Sequence, residues 1–531
     1  MTEVPGRGQR RPRLSLRAIH FAPVLALLAL LAWAFASPIG AGPDDDYHLT
    51  SIWCANDGSA ECRPGSLEET RMVSSGLGGA SCYAQSKEQS AACQAEVWPG
   101  WNDESVETAR GNFIGEYPPL YYATMRLFAG HDPQVDAMAM RVLNATLFVG
   151  LATALTALLP VTRRRTLLWG WLIALVPLGV FLIPSNNPSG WAVTGVGTAF
   201  LALLGWFEAG GRRRWALGAL YLVGVLMAAG ARGDAAVYAA GATVTAVILT
   251  ADRTRAWMMK AILPAIGFVI AVVLFAAAGQ SGVGATGFAN GQSELIAVLG
   301  DPGSGKLSGF SLAAYNLLSL PLLWTGVWGS WGLGWLDTDL PQIVPWAATA
   351  AFVVVGFAGL GRLSWRKAIA AGGALFVLIV LPVYVLTAGG DKVGVSLQPR
   401  YLLPLIVLFA FLLVSESRGV DTMRFTRLQT FTILGALGLA NLVALQVNIR
   451  RYVTGADQQG FNLDAGAEWW WSGLPIGPTA VWAIGALAFA GLLATLWTQL
   501  RRPAVPPASV ASAEVPPHSA VGVNEGSVAP S

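Results

Sequence analysis

The chain has 531 residues, of which 54% are hydrophobic and only 12% charged, with a net charge of +3. Ordinary soluble domains carry about 25% charged residues, so a water-soluble globule of this size is excluded. So small a net charge also gives no case for nucleic-acid binding.

Residues 1–17 form a basic tail with Arg7, Arg10, Arg11, Arg13 and Arg17. The first apolar run, 18–36, ends in Ala34-Phe35-Ala36, which resembles a signal-peptidase site. Its length exceeds the roughly 7–15 residues of a cleavable core, so it is read as an uncleaved first span. A long polar segment follows at 37–136. Further spans are expected at 137–161, 167–184, 191–209, 216–231, 235–251, 257–278, 344–360, 368–388, 401–415, 429–448 and 477–498. Each is near the roughly 20 apolar residues that cross a bilayer. The fold class is therefore an all-α polytopic membrane protein of about twelve transmembrane helices, filling residues 18–500. A second long polar segment, 279–343, holds an apolar piece from Leu312 to Trp328. It makes either a re-entrant or interfacial helix, with Trp324, Trp328, Trp331 and Trp335 in the interface belt, or one more span. Residues 501–531, rich in Pro, Ala, Ser and Val, read as a disordered tail.

With the N-terminus in the cytoplasm, alternation puts one arginine cluster after another inside. These are 163–165, 212–214, Arg253 with Arg255, Arg362 with Arg366 and Lys367, Arg418 with Arg424 and Arg427, and 501–502. That agrees with the positive-inside rule and predicts a multi-pass protein of the plasma membrane with both termini cytoplasmic. Segments 37–136 and 279–343 fall outside. All four cysteines, Cys54, Cys62, Cys82 and Cys93, lie in the first of them. An even count in an oxidising compartment points to disulfides. Three pairings are open, Cys54–Cys62 with Cys82–Cys93 being the simplest. No CxxC spacing favours a metal.

Two glycine-rich stretches imitate nucleotide sites. Gly282-x-Gly284-x-x-Gly287 lacks a surrounding βαβ unit, and Gly300 to Lys306 is followed by Leu307 where a Ser or Thr is needed. Both are read as loops. Asn144-Ala145-Thr146 lies within an expected span and is no glycosylation site.

Pro43-Asp44-Asp45-Asp46-Tyr47-His48 comes just after the first span emerges. Three successive carboxylates repel one another, so one pKa should rise unless a cation sits nearby. Such a carboxylate beside a low-dielectric wall is a candidate general base, which His48 tunes or with which it shares a metal. The alternative is a solvated acidic turn. Glu116-Tyr117-Pro118-Pro119-Leu120-Tyr121-Tyr122 closes the same segment and adds a carboxylate, although interfacial anchoring alone explains its tyrosines. Three smaller pieces flank outer membrane edges: Ser185 to Gly190, Arg232-Gly233-Asp234, and Gln398-Pro399-Arg400-Tyr401-Leu402-Leu403-Pro404. Arg400 defies the inward bias of arginine and calls for an anionic partner: Asp391, a lipid phosphate, or the phosphate of a lipid-linked substrate. Arg232 with Asp234 reads as a local ion pair.

In this order the pieces resemble the domain of unknown function 2142 family of bacterial membrane proteins, over roughly residues 18–500. The match rests on Pro43-Asp44-Asp45 with His48, on Pro118-Pro119-Leu120-Tyr121-Tyr122, on Asn187-Pro188-Ser189-Gly190, and on the Gln398 to Pro404 run. Asp45 departs from the family's usual glutamate. The family is in turn similar to the GT-C class of polytopic glycosyltransferases that use polyprenyl-phosphate sugars and carry an acidic residue in the first outer loop. The resemblance implies Asp44 or Asp45 as base or metal ligand, with His48 and Glu116 orienting the base or binding a divalent ion. It implies Arg400, with Arg232, as the grip on the carrier phosphate, and places Tyr401, Gln398 and Asn187 in the substrate-binding set. The implied partners are a polyprenyl-phosphate-linked sugar, a cell-envelope glycan or lipid acceptor, and the bilayer. The competing functions are a transporter or flippase of lipid-linked intermediates and a non-catalytic envelope assembly protein.

Overall fold

The computed structural model describes residues 18–55, 61–282, 307–361, 363–415 and 425–500. Both terminal tails, the glycine motifs from Gly284 onward, Arg362, Arg418 and Arg424 lie outside the described residues.

Uncharged apolar sequence leaves the backbone no partner in lipid but itself, so it coils into helices. Helix α1 (Ala22–Phe35) leads into the loop segment, where α2 (Asp45–Trp53) and α3 (Leu120–Arg126) are short. Then come α4 (Pro133–Leu158), α5 (Val161–Leu175), α6 (Leu178–Leu182), α7 (Ser189–Glu208), α8 (Gly211–Ala229), α9 (Gly233–Thr250) and α10 (Ile262–Ala277). After the undescribed stretch follow α11 (Gly309–Thr325), α12 (Ile343–Gly359), α13 (Trp365–Gly389), α14 (Pro399–Val414), α15 (Arg427–Val453) and α16 (Pro478–Leu500). The expected span at 167–184 is a broken pair, α5 and α6, interrupted at Pro177, which has no N–H to continue the ladder.

Helix α7 is the centre of the bundle, buried along its length, with α8, α9 and α14 packed around it. Close approach to α8 depends on glycine: a Cβ on Gly195 would stand 2.5 Å from the Ala228 nitrogen, and one on Gly224 would stand 2.6 Å from that of Ala199. Small residues serve this purpose between membrane helices, where no hydrophobic force draws helices together.

Among the described residues, eight helices are long and apolar enough to cross a membrane, α11 with its extension to Trp328 included, and three shorter apolar helices accompany them. Helix α11, however, does not cross. Asn316 donates to the Asp391 carbonyl and accepts from the Val393 N–H, both at 2.9 Å, just beyond the end of α13. Eight residues on, Trp324 donates to the Leu378 carbonyl at 3.3 Å, halfway along α13. Trp328 then donates to Ile173 O at 3.0 Å, and Trp335 reaches Gly40 O at 2.8 Å, back beside the first loop. The segment enters and leaves by one face, the re-entrant form of the two sequence alternatives. With the α5–α6 pair and α8 counted, twelve crossings remain among the described residues.

The 37–136 segment departs from an all-helical expectation in one detail. Cys62–Pro64, Arg71–Ser74 and Ser105–Thr108 form a three-stranded antiparallel sheet, β1 to β3 in order, with Cys62 opposite Val73 and Arg71 opposite Thr108. Cys54 bonds Cys62 and Cys82 bonds Cys93, the simplest of the three pairings. The second disulfide closes a turn-rich loop that Arg451, near the end of α15, holds. Its guanidinium donates to the carbonyls of Gln89 (2.6 Å), Tyr83 (2.9 Å) and Ser86 (3.2 Å) and pairs with Asp337 at 2.8 Å.

Candidate functional site

The site lies on the face that carries the disulfide-bonded loop, where α2 starts. Asp44 precedes α2 in the left-handed region (φ 56°), which a non-glycine residue adopts at a cost of roughly 1–2 kcal/mol. This turn sends neighbouring carboxylates in different directions. Asp45 points into the core, 0% exposed, with Oδ2 accepting the Gly42 N–H at 2.9 Å and Oδ1 without a partner. Asp44 and Asp46 point toward the loop face.

Arg400 opens α14 and is only 3% exposed. Its fork donates to the Pro43 carbonyl at 2.8 Å and to Asp44 Oδ2, and reaches the Tyr401 hydroxyl at 2.9 Å. Asn187, from the turn before α7, donates to that same Pro43 carbonyl at 2.8 Å. Arg110 closes the other side, 2.8 Å from Asp46 and 3.5 Å from Asp44. The cations that the acidic run requires are therefore present, brought from 64 and 356 residues away. Burial alone would raise the Asp44 carboxyl, but Arg400, with Arg110 adding to it, holds it well below the usual carboxylate range. Asp45 has no such cover: burial outweighs Arg141 and the Gly42 N–H, and its carboxyl is raised to about 6.

A second arginine stands beside the first. Arg232 pairs with Asp234 at 2.9 Å and stacks on the rings of Tyr401 (4.6 Å) and Tyr117 (5.4 Å), while Arg400 lies 4.9 Å from the Tyr401 centroid. Two buried guanidinium groups thus lie within about 5 Å of the centre of one aromatic ring. Each retains a buried N–H with no hydrogen-bond partner, Nη1 of Arg232 and Nε of Arg400. Buried polar groups are ordinarily satisfied, so two orphaned cationic donors beside one tyrosine set this cluster apart as the candidate site.

The remaining expected residues lie near this centre in different roles. His48 is buried, its Nδ1 2.9 Å from the Tyr122 hydroxyl, and burial pushes its pKa well below the ordinary value, leaving it neutral. Tyr47 donates to Glu116 at 2.8 Å, so Glu116 borders the site through that phenol. Gln398 stands at the N-cap of α14 with a buried Oε1 that has no partner. Asp391 is not the partner of Arg400; that place belongs to Asp44. Cys54 and Cys62 brace the far end of α2.

The divalent ion fares poorly. Among the described residues no group of three or more His, Cys, Asp or Glu side chains gathers. Asp45 faces the core, His48 is taken by Tyr122, and Glu116 by Tyr47. These residues do not fit a metal, and no step is derived through one.

Two arginines escaped the sequence reading. Arg110 has no local signal, being one of several basic residues in the loop. Arg141 did have one: a charge inside an apolar span is expensive and functional or structural. Buried in α4, it donates to Asn186 (2.8 Å) and to the carbonyls of Ala34 (2.9 Å), Ser37 and Pro38 (both 2.7 Å), fixing the chain between α1 and α2.

These features define a polytopic membrane protein with a buried ionic and aromatic cluster at one face. The chain belongs to the DUF2142 family of predicted membrane proteins, whose family model matches residues 27–409. No curated protein matches it. Among solved structures it is similar to ArnT from Cupriavidus metallidurans bound to undecaprenyl phosphate, at 12% identity and a TM-score of 0.42, covering 91% of this chain and 77% of that one. It is also similar to apo ArnT from the same organism, at 13% identity and a TM-score of 0.38, with 91% and 78% covered.

Proposed function

We propose that this protein is a membrane glycosyltransferase that moves a sugar from a polyprenyl-phosphate donor to a cell-envelope acceptor at the extracytoplasmic face. The disulfide-bonded loop and the arginine clusters on alternate gaps support that orientation. One observation carries the reading: Arg400 and Arg232 flank Tyr401, each with an unsatisfied buried donor, beside the Asp44 carboxylate.

The carrier phosphate sits between the two guanidinium groups, whose planar forks suit phosphate oxygens. The acceptor hydroxyl attacks the anomeric carbon and a new carbon–oxygen bond forms. The bond from that carbon to the phosphate oxygen breaks, and its electron pair goes to the phosphate, where Arg400 and Arg232 stabilise the growing charge. Asp44, ionised at neutral pH and reachable from the loop face, takes the acceptor's proton. Asp45, sealed in the core, holds the turn.

The test uses purified protein in nanodiscs with polyprenyl-phosphate sugar. Asp44→Asn should abolish transfer while leaving donor binding, and Arg400→Ala should weaken donor binding. Full transfer by Asp44→Asn removes the carboxylate from the chemistry. Unchanged donor affinity in Arg400→Ala removes the phosphate grip.

A further inference from the structure

A concavity opens on the loop face, at the opposite end of α2 from Asp44. It is a cleft of about 530 Å³, within the roughly 300–1,000 Å³ range of small-ligand sites. Three stretches distant in sequence build it: Ala92 to Trp101, the chain entering α4 at His131 to Gln134, and Glu468 to Ser472. Five of its lining residues are tryptophans: Trp98, Trp101, Trp469, Trp470 and Trp471. Trp469 stands edge-on to Trp470 and Trp471, at 5.6 and 5.4 Å. Trp471 is locked to the end of α1 by its bond to Phe35 O at 2.8 Å, and Trp470 to Ile476 O at 2.8 Å. Two of the rings are thus hydrogen-bonded in place by the fold itself.

Tryptophans that only anchor a membrane interface stand singly with a polar edge toward the headgroups, whereas these five converge on one cleft. The cleft is edged by His131, Asp132, Gln134 and Glu468, with no arginine or lysine among its lining residues. Trp98 also lines it, and its indole N–H is buried without a hydrogen-bond partner. Flat apolar faces ringed by carboxylate and amide acceptors match a pyranose, which shows C–H groups on its faces and hydroxyl donors around its rim. The acidic edge opposes uronic or phosphorylated sugars.

We infer that this cleft is a binding site for a neutral saccharide chain. Its place links it to the ionic site: Trp53, the last residue of α2, lies 6.5 Å from Trp101, and Asp44 precedes the first. Nine residues of helix span roughly 14 Å. Resting on the transferase reading for this step alone, the bound chain is the acceptor, held in the cleft with its end directed to Asp44.

The experiment measures binding of mannotriose, galactotriose, cellotriose and trigalacturonate to the full chain in nanodiscs by saturation-transfer NMR and titration calorimetry. At least one neutral trisaccharide should bind, and trigalacturonate about tenfold more weakly or less. Trp470→Ala and Trp98→Ala should each weaken the neutral sugar about tenfold or more, as aromatic anchors do. Trp470→Phe should restore much of that loss, which separates a lost platform from a misfolded loop. In the wild-type protein, trisaccharide binding without any sugar transfer sinks the enzyme reading and not the cleft. Failure of every neutral sugar to bind, or binding indifferent to both alanine variants, overturns the site.

Discussion

Replacing Asp45 by Asn should stabilise the protein at neutral pH and lose most of that advantage in acid. The carboxyl is 0% exposed and has one hydrogen bond, from Gly42. Burial lifts it to about 6 from an ordinary 3.8, against the pull of Arg141. The folded protein therefore holds this proton more tightly than the unfolded chain. Stability falls with rising pH wherever the folded state binds more protons, which here is the window from 3.8 to about 6. A shift of about two units at ~1.4 kcal/mol each gives a penalty of about 3 kcal/mol at pH ~7.5, against about 1 kcal/mol at pH ~4.5. The amide keeps the shape and the bond to Gly42 but carries no charge. Unfolding of wild type and variant in detergent should show the variant's gain growing by roughly 2 kcal/mol between those two pH values. A variant that is instead less stable than wild type at neutral pH and matches it in acid would mean that Asp45 is an ionised partner of Arg141. The burial argument would then be wrong.

Arg141→Met strips Asn186 and three carbonyls of their donor; the loss should be about 3 kcal/mol or more, read as a lower unfolding midpoint. Cys82→Ser opens a loop of 11-residue separation and should cost about 2.5–3 kcal/mol on chain-entropy grounds; reductant should lower the wild-type midpoint and leave a variant without cysteines unmoved. Gly195→Val forces a side chain against the Ala228 backbone in the central helix pair, so detergent-solubilised protein should elute as aggregate in size-exclusion chromatography, whereas a substitution at Gly150, which faces open space, should elute as wild type.

Most of the bundle was written in plain sight, because apolar runs of spanning length have one stable form in lipid. The loops held less. Nothing local told Asp44 from Asp45; the left-handed turn at Asp44 separates them, and it follows from the grip of Arg400 and Asn187 on the Pro43 carbonyl. Arg400 announced itself as a cation on the wrong side, but its partner was 356 residues away and only the packed bundle could name it. Helix α11 passed every length and composition test for a span. Its true path is decided by Asn316 and Trp324, whose bonds to α13 and the chain just after it are tertiary facts. The Trp-lined cleft was hidden for the same reason, its walls coming from three distant stretches.

The clasp of Arg451 on the disulfide-closed loop reaches beyond the stretch by which the family is recognised, which stops at residue 409. A shortened protein trimmed to that stretch would keep Asp44, Arg232 and Arg400 yet surrender the strut beneath its disulfide-bonded loop. The helices after Val414 are thus keystones of the architecture, and minimal versions meant for reconstitution have to retain them.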